Sequence, residues 1–407
     1  MNFYYFLIFI ITVNTCSGSP RVCNLILFQL KYELNPGCGI LCDEMGLTTL
    51  HLKAEGPNDT LHYLWDFVGN PSVLLAVTSP AAKLNIEWDR YLTRQPKSIN
   101  FTEEPIYTFG LVIQKIIEFN DVYDKASIDN VKNDDINILN PEYFNWTRKN
   151  SIKSNQFVEL DMIGQNYTDP ELNITRAGNI EIILNGFCTL EHSDVIPHML
   201  HSENSTQIDF IINHLRTNSS FDKSRFGLEL MVVSEGDSST RMSIDTKKSL
   251  DDEYTPGIFE TIEMKTPENK NKFSGSGYLQ WRPVSYLTSH RDVTASTETS
   301  FYNIINCSNI TNNSILYAFY GDSNNLLINK INVTIGSSGD GFYKKTNYAT
   351  WTFLVGYGNP PGEQFSYLVI LIISIGVGLP LLIMSIAGIY ICIRRLPRRE
   401  SSRLVES

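Results

Sequence analysis

The sequence has little basic charge, few cysteines and no familiar catalytic signature. Lys and Arg number 33 against 44 Asp and Glu, a net charge of −11, so the basic surface typical of nucleic-acid-binding proteins is absent. Seven cysteines are too few for a disulfide-built scaffold, and packing must supply the core. The sequence contains no His-Glu-x-x-His motif, no Gly-x-Ser-x-Gly motif and no Walker loop. These are the signature motifs of zinc metalloproteases, serine hydrolases and P-loop nucleotide-binding proteins.

Two polar clusters remain as candidates for chemistry. His192, His198 and His201 lie close together, but their spacing matches no zinc pattern, and we expect a solvated loop. Residues 251–253, Asp-Asp-Glu, form the densest acidic run, yet adjacent carboxylates on a strand point to opposite faces rather than forming a glycosidase pair. The sequence therefore predicts no catalytic residue, no metal ligand and no cofactor.

N-glycosylation sequons, by contrast, are abundant. Eleven asparagines are followed by a non-proline residue and then Ser or Thr: Asn58, Asn100, Asn145, Asn166, Asn173, Asn204, Asn218, Asn306, Asn309, Asn312 and Asn332. Such a sequon carries a glycan only where the segment enters the secretory lumen and the site is exposed. Eleven sequons between two apolar ends indicate a glycan-coated ectodomain held to a membrane.

Apolar runs occupy both ends of the chain. Residues 3–13 are almost all apolar and precede small polar residues, which predicts a signal peptide over residues 1–18. Residues 367–393 contain no charge, and about 20 such residues suffice for a helix across a bilayer. Arginines follow at once, and the positive-inside rule places them in the cytosol. We therefore expect a type I topology, with a transmembrane helix over 367–393 and a cytosolic tail over 394–407.

Small residues lie inside the predicted transmembrane helix. Ser374 and Gly378 form a small-xxx-small pair, which permits close approach of a second helix. Gly and Pro are also common in ordinary transmembrane helices. The pair therefore predicts either a helix contact or unremarkable composition.

Five cysteines belong to the predicted ectodomain: Cys23, Cys38, Cys42, Cys188 and Cys307. The number is odd, so one of them is free or bonded between chains. Cys38 and Cys42 could close a small loop, and Cys188 and Cys307 could tie the two halves of the ectodomain together. The sequence leaves this connectivity open.

Short runs rich in Ile, Val, Tyr, Phe and Thr dominate the ectodomain and predict strands. The clearest are residues 61–67, 73–78, 106–119, 180–190, 208–215, 226–234, 278–287, 315–320, 326–335 and 349–355. In the segment 331–335, the apolar residues at 331, 333 and 335 are predicted to face the core, and Asn332 and Thr334 are predicted to face solvent. Residues 132–155 are expected to form an Asn- and Asp-rich connector.

This pattern predicts an all-β lumenal ectodomain plus one C-terminal transmembrane helix. The length exceeds one typical core, so we expect two packed antiparallel β-sandwich-like subdomains, residues 19–195 and 196–364. The boundary is placed in the polar stretch at residues 191–205.

Several longer segments resemble the glycosylated lysosomal membrane protein family. They are residues 60–65 (Thr-Leu-His-Tyr-Leu-Trp), 249–256 (Ser-Leu-Asp-Asp-Glu-Tyr-Thr-Pro), 279–283 (Leu-Gln-Trp-Arg-Pro), 319–325 (Phe-Tyr-Gly-Asp-Ser-Asn-Asn) and 351–361. The resemblance covers essentially the whole chain in order. It implies a non-enzymatic accessory subunit that shields a lysosomal major-facilitator transporter, an exporter of dipeptides, from lumenal proteases.

Two other function classes remain open. One is a lumenal hydrolase with an unrecognised carboxylate site, which clustered carboxylates with raised pKa values in a cleft would favour. The other is a cell-surface receptor or adhesion protein, which the composition allows equally and which the cellular compartment would distinguish.

The tail departs from the family it resembles. Members of that family end with a tyrosine-based sorting signal, and this tail contains no tyrosine. Glu400, Leu404 and Val405 instead resemble an acidic dileucine signal, with Val in the last place. The alternative is an inert tail, with sorting supplied by the partner transporter.

Overall fold

The computed structural model describes residues 30–129, 131–154, 157–236, 240–249, 257–268, 275–323, 325–362 and 367–395. It comprises two compact units, Met1–Pro361 and Gly362–Ser407. Several predicted features lie outside the described residues: the signal peptide, Cys23, the acidic run at 251–253, and the tail residues Glu400, Leu404 and Val405.

The first unit is built mainly from short strands. Those in its first half are β1 (Lys31–Leu34), β2 (Thr49–Glu55), β3 (Thr60–Asp66), β4 (Ser72–Thr78), β5 (Leu84–Ile86), β6 (Ile99–Phe101), β7 (Tyr107–Asn120), β8 (Ile136–Leu139), β9 (Asn145–Lys153), β10 (Phe157–Asp169) and β11 (Ile174–Phe187). Those in its second half are β12 (Glu191–His192), β13 (Leu200–His201), β14 (Ser205–Asn213), β15 (Ser224–Glu235), β16 (Ser243–Lys248), β17 (Glu260–Lys265), β18 (Gly277–Tyr286), β19 (Ser296–Phe301), β20 (Ile305–Cys307), β21 (Leu326–Ile335) and β22 (Tyr348–Tyr357). The α-helices are α1 (Ile40–Glu44), α2 (Trp88–Leu92), α3 (Ile315–Tyr320) and α4 (Tyr367–Arg395).

Most strands belong to two large antiparallel sheets. Sheet I runs β1–β2–β3–β4–β7–β15–β21, with β8 beside part of β7, and with β19 and β20 beside β21. Sheet II runs β9–β10–β11–β14–β22–β18–β17–β16. Strand β19 pairs with both β18 and β21, and so joins the two sheets along one edge. The predicted all-β fold class is confirmed.

The two sheets pack face to face around one apolar core. Phe67, directly after β3, and Trp146 of β9 have ring centroids 5.5 Å apart. Trp65 of sheet I is buried in the same core as Trp281 and Trp351 of sheet II. Burying a large apolar side chain contributes roughly 1.5–3 kcal/mol, so this interdigitated layer is the main source of stability.

Each large sheet contains strands from both sides of the predicted subdomain boundary. In sheet I, β15 lies beside β7, and in sheet II, β14 lies beside β11. Residues from both halves also contribute to one core. The expected boundary at residue 195 therefore does not separate two sheets or two cores, because strands of the two halves pair with each other within both sheets.

The segment predicted as a connector, residues 132–155, forms two strands. β8 pairs with β7, and β9 pairs with β10 at one edge of sheet II. Every residue of β9 except Trp146 is exposed. The polar composition of this segment reflects an edge position rather than a loop.

The segment 315–320 was predicted as a strand and is the helix α3. The Ser314 hydroxyl accepts a hydrogen bond from Tyr317 N, and Gly321, at φ 61°, ends the helix. The apolar side chains of α3 join Leu74 in a second buried cluster, on the face of sheet I opposite the main core. A continuous apolar run of this length does not distinguish a buried strand from a buried helix.

The alternation predicted for β21 is correct on its apolar side. Ile331, Val333 and Ile335 are buried in the core. Thr334, predicted to face water, is also fully buried, because Tyr302 covers it with its hydroxyl 3.1 Å from Thr334 Oγ1. The outer face of this strand is covered by a loop that periodicity cannot reveal.

The helix α4 agrees with the predicted membrane-spanning segment. Its stretch Ile370–Arg394 is long and apolar enough to cross a membrane. At 1.5 Å per residue these 25 residues extend about 38 Å, against a hydrocarbon core of about 30 Å.

Candidate functional site

The acceptor asparagines lie at the surface of the first unit. Seven are exposed: Asn58, Asn145, Asn166, Asn173, Asn306, Asn309 and Asn312. The other four, Asn100, Asn204, Asn218 and Asn332, are half-buried. No acceptor is fully buried, which is the arrangement that glycan attachment requires.

Several acceptors lie where a sheet would otherwise be open. Asn145 begins β9, which pairs only with β10 among the described strands, and Asn306 lies in β20, which pairs only with β21. Asn166 and Asn173 take positive φ angles of 51° and 53° near the β10–β11 turn, a conformation that asparagine tolerates well. Glycans at these positions would cover strand edges and turns.

The cysteines pair partly as predicted. Cys38 and Cys42 form a disulfide with Cα atoms 5.8 Å apart, which closes the small loop at α1. Cys188 is disulfide-bonded, whereas Cys307 is free. The suggested Cys188–Cys307 bond is therefore wrong, and Cys307 is an unpaired cysteine of the kind that the odd count required.

The three clustered histidines serve the local structure. His201 is buried, stacks on Phe187 at 3.4 Å between centroids, and has Nδ1 3.0 Å from Thr189 O. His198 Nδ1 lies 2.6 Å from the Ser193 carbonyl. Within the described ranges, no group of three or more metal-ligating side chains is present. Two of the three imidazoles thus bond to backbone carbonyls, one in the β12–β13 loop and one just before β12.

A cluster of carboxyl groups lies on the outer face of sheet II. The neighbours of Asp161 in β10 belong to the core, so Asp161 points away from it. Lys149 Nζ lies 3.2 Å from Asp161 Oδ2 and also contacts Glu181 Oε1. Asn150 pairs with Asp161 and Arg148 with Met162, so Lys149 is the extra residue of a β-bulge. The bulge aims Lys149 at the two carboxylates.

Two carboxyls of this cluster, Asp161 and Glu159, bind protons more tightly than isolated carboxyls do. Burial, together with a hydrogen bond to the Glu181 carboxyl, raises the pKa of Asp161 to about 6. Burial and then the charge of Asp209 raise the pKa of Glu159. Asp209 itself accepts from Arg291 Nη1 at 2.8 Å. Asp161 therefore changes charge near pH 6.

A buried cationic centre stabilises two loops beside sheet I. The guanidinium of Arg225 lies 2.8 Å from Asp121, 2.6 Å from Asp124 and 2.7 Å from Asp340. Its Cζ also lies 4.6 Å from the centroid of the Phe342 ring. Three carboxylates around one buried cation describe a structural ion cluster rather than a ligand site.

The predicted helix contact lies on α4. Ser374 and Gly378 are four residues apart and therefore share one helix face. Among the described residues, a Cβ added at Gly378 would meet no atom within 4 Å beyond the adjoining backbone of α4. The helix contact stays a prediction.

Comparison with known proteins decides the family. The model of the glycosylated lysosomal membrane protein family matches residues 48–398. The chain belongs to the glycosylated lysosomal membrane protein family. Glycosylated lysosomal membrane protein B of Xenopus laevis is 28% identical over 89% of each chain. The protein of that family from Danio rerio is 28% identical over 90% of this chain and 89% of its own, and the one from Homo sapiens 25% over 81% and 80%.

Membership in the glycosylated lysosomal membrane protein family gives the coarse function. The names of its relatives place this family in the lysosomal membrane, and α4 could provide a single membrane span. The family is named for a membrane glycoprotein and not for an enzymatic activity.

Sequence reasoning missed the Asp161–Glu181 pair and the Arg225 cluster. Their members are far apart in the chain and become neighbours only through strand pairing. One signal was available, because Asp161 and Glu181 each stand alone between apolar residues, although only Glu181 lies in a predicted strand. A lone carboxylate at such a position predicts an outward-facing partner, but it does not identify that partner.

Proposed function

We propose that this chain is a type I lysosomal membrane subunit that shields a major-facilitator dipeptide transporter from lumenal proteases. The transporter as partner rests on the family resemblance. The observation that supports a shielding role is the position of the acceptors: all eleven are at the surface, and several lie on strand edges and turns.

A glycan coat at these positions opposes proteolysis for a physical reason. Exposed edge strands offer unpaired N–H and C=O groups to any extended partner, and a protease cleft is such a partner. Glycans on Asn145 in β9 and Asn306 in β20 would block that approach at an edge of each sheet. The protected subunit can then cover the lumenal loops of its partner.

The proposed membrane orientation of the chain rests on the positive charge at the C-terminal end of α4. α4 ends at Arg394 and Arg395, and positive residues beside a membrane helix favour the cytosol. The eleven acceptors then lie in the lumen. Glycosidase treatment should lower the apparent mass by roughly 2 kDa for each occupied site, a general value for N-glycans. No mass change would contradict this orientation.

The shielding role is tested by the lifetime of the transporter. The transporter is expressed with the full chain, without it, and with a variant carrying Asn145→Gln and Asn306→Gln; its decay is followed by pulse-chase. We expect a long lifetime with the full chain, a short one without it, and an intermediate one with the edge variant. Asn58→Gln, which removes a glycan from the β2–β3 turn, is the matched control. An unchanged lifetime without the chain would overturn the role.

The lumenal hydrolase is the second candidate, and the raised pKa of Asp161 is the observation that favours it. The geometry opposes it, because Lys149 Nζ contacts both Asp161 and Glu181, whereas a glycosidase pair must leave the space between its carboxyls to the substrate or to water. Hydrolysis of glycoside or ester probes that disappears in Asp161→Asn, with folding retained, would revive this candidate.

A further inference from the structure

Each sequon depends on two side chains. The Asn receives the glycan, and the Ser or Thr two residues later must also reach the transferase. In seven sequons that hydroxyl residue is exposed or half-buried: Thr102, Thr147, Thr168, Thr175, Ser220, Ser308 and Thr311. In the other four it is buried, at 0% for Thr60, 1% for Thr206, 1% for Ser314 and 0% for Thr334.

Strand pairing buries two of these hydroxyls. Thr60 lies between β2 and β4, opposite Glu55 and Thr78. Thr206 lies between β11 and β22, where it is opposite Val355 in β22. The Oγ1 atoms of Thr60 and Thr206 are buried without a hydrogen-bond partner. An enzyme cannot reach either of them while the sheets are closed.

The other two buried hydroxyls are held by local contacts. Thr334 lies between β15 and β19, under the Tyr302 hydroxyl at 3.1 Å. Ser314 caps α3 and accepts a hydrogen bond from Tyr317 N. Its acceptor Asn312 is exposed all the same. At this sequon the hydroxyl, not the amide, is what the fold hides.

We propose that the glycans on Asn58, Asn204, Asn312 and Asn332 are attached before the strands around their sequons close. The other seven sequons keep their hydroxyl accessible afterwards. In the transfer, the Asn amide nitrogen bonds to the anomeric carbon of a lipid-linked oligosaccharide. The bond from that carbon to the lipid diphosphate breaks, and the amide proton passes to a base of the transferase. The inference rests on the lumenal orientation proposed above.

The time available differs among the four sites. The strands β15 and β19 beside Thr334 both precede it in the chain. Ser314 caps α3, which ends at Tyr320, and the second of the two strands beside Thr60, β4, ends at Thr78. Thr206 stays open until β22 arrives, at residues 348–357. Asn58, Asn312 and Asn332 therefore have a short interval for modification, and Asn204 has a long one.

Slowing the transfer tests this order in cells. The transferase uses Thr sequons faster than Ser sequons, so Thr→Ser matters only where folding competes. In the full chain, Thr60→Ser and Thr334→Ser should lower occupancy at Asn58 and Asn332 by about twofold or more, since synthesis proceeds at about 5–20 residues per second. Thr206→Ser should lose less. Thr168→Ser and Thr175→Ser, at exposed positions, should lose least. Site occupancy is measured by mass spectrometry of glycopeptides.

A reverse change uses one loop as its own control. Ser314→Thr keeps the cap of α3 and should raise occupancy at Asn312. Ser308→Thr, at an exposed position six residues earlier, should leave occupancy at Asn306 unchanged. Equal effects at buried and exposed positions would overturn the proposed order.

Misfolding of a variant would not produce the expected loss of glycan occupancy. A Thr60→Ser chain that failed to close would leave its hydroxyl open and would gain occupancy at Asn58, not lose it. A chain that carries no glycan at any site would contradict the lumenal orientation. Full occupancy that is insensitive to every Thr→Ser change would contradict only the timing.

Discussion

His51 Nε2 lies 2.9 Å from His62 Nδ1, and the two imidazole rings stack with their planes 5° apart. His62 Nε2 reaches Thr78 Oγ1 at 3.0 Å. Burial, and then the charge of Lys53, lowers the pKa of His51 to about 4. Burial, and then the neighbouring His51, lowers the pKa of His62 to about 3. The pair therefore stays neutral in a mildly acidic compartment.

The histidine pair should make stability fall with acidification. Both folded pKa values lie below the ordinary 6.5, so the stabilisation is present above pH 6.5 and lost as pH falls toward 4. For His62 alone the loss from pH 6.5 to pH 5 is about 2 kcal/mol, at 1.36 kcal/mol per pH unit. The double variant His51→Gln, His62→Gln should show a flatter decline in its thermal unfolding midpoint. A decline as steep as that of the parent chain would assign the pH dependence to other groups.

The carboxyl pair should act in the opposite direction. The raised pKa of Asp161 means that its stabilisation is present below about pH 4 and is lost as pH rises through about 6. Asp161→Asn removes the carboxylate charge, so the variant should match the parent at pH 4 and exceed it by about 2 kcal/mol at pH 7. Unfolding midpoints at both pH values check this. Asp245→Asn, on the exposed strand β16, is the control and should change little at either pH.

Removing the central cation of the ion cluster should be costly. Arg225→Met would leave Asp121 and Asp340 buried without their partner, a loss of about 3–5 kcal/mol. Lys223→Met, just before the same strand, removes an exposed contact to the Val122 carbonyl and should cost about 0.5 kcal/mol or less. Thermal or denaturant unfolding compares the two. Equal losses would show that the network contributes no more than a surface charge.

The helix α4 should contact its partner through one face. Gly378→Leu should weaken co-purification with the transporter, because a bulky side chain prevents close helix approach. Gly376→Leu is the matched control, since two residues turn the helix by about 200° and place it on the opposite side. Among the described residues, a Cβ at either position meets nothing within 4 Å beyond the adjoining backbone of α4, so both variants should fold. Equal recovery of transporter from both would remove this face from the interface.

The tail should carry a weak sorting signal. Leu404→Ala with Val405→Ala removes both aliphatic side chains of the dileucine-like segment, and expressed without the partner it should accumulate at the cell surface. Val is one methylene smaller than Leu, a difference of about 0.8 kcal/mol of burial, so the native signal should be weak but functional. Surface labelling measures the effect, and Ser407→Ala serves as the control. Lysosomal delivery of the double variant would place the signal elsewhere.

The positions of most strands were predicted correctly from the sequence, because the patterns that indicate a strand depend on neighbouring residues alone. β4 and β7 begin and end within a residue or so of their predicted limits. The prediction was wrong for α3, since six consecutive apolar residues are compatible with a buried helix as well as with a buried strand. The cap at Ser314 and the positive φ of Gly321 decide the helix.

The sequence by itself determined the acceptors, the apolar segment that became α4, the all-β class and the family resemblance. Each of these is a property of contiguous residues. Only the tertiary structure decided that both halves share one core, that Cys188 and Cys307 do not pair, and that Asp161 meets Glu181 and Lys149. It also decided which sequon hydroxyls are hidden. These features arise from pairing between strands distant in the chain, and that pairing is selected by the packing of the whole sandwich rather than by any local pattern.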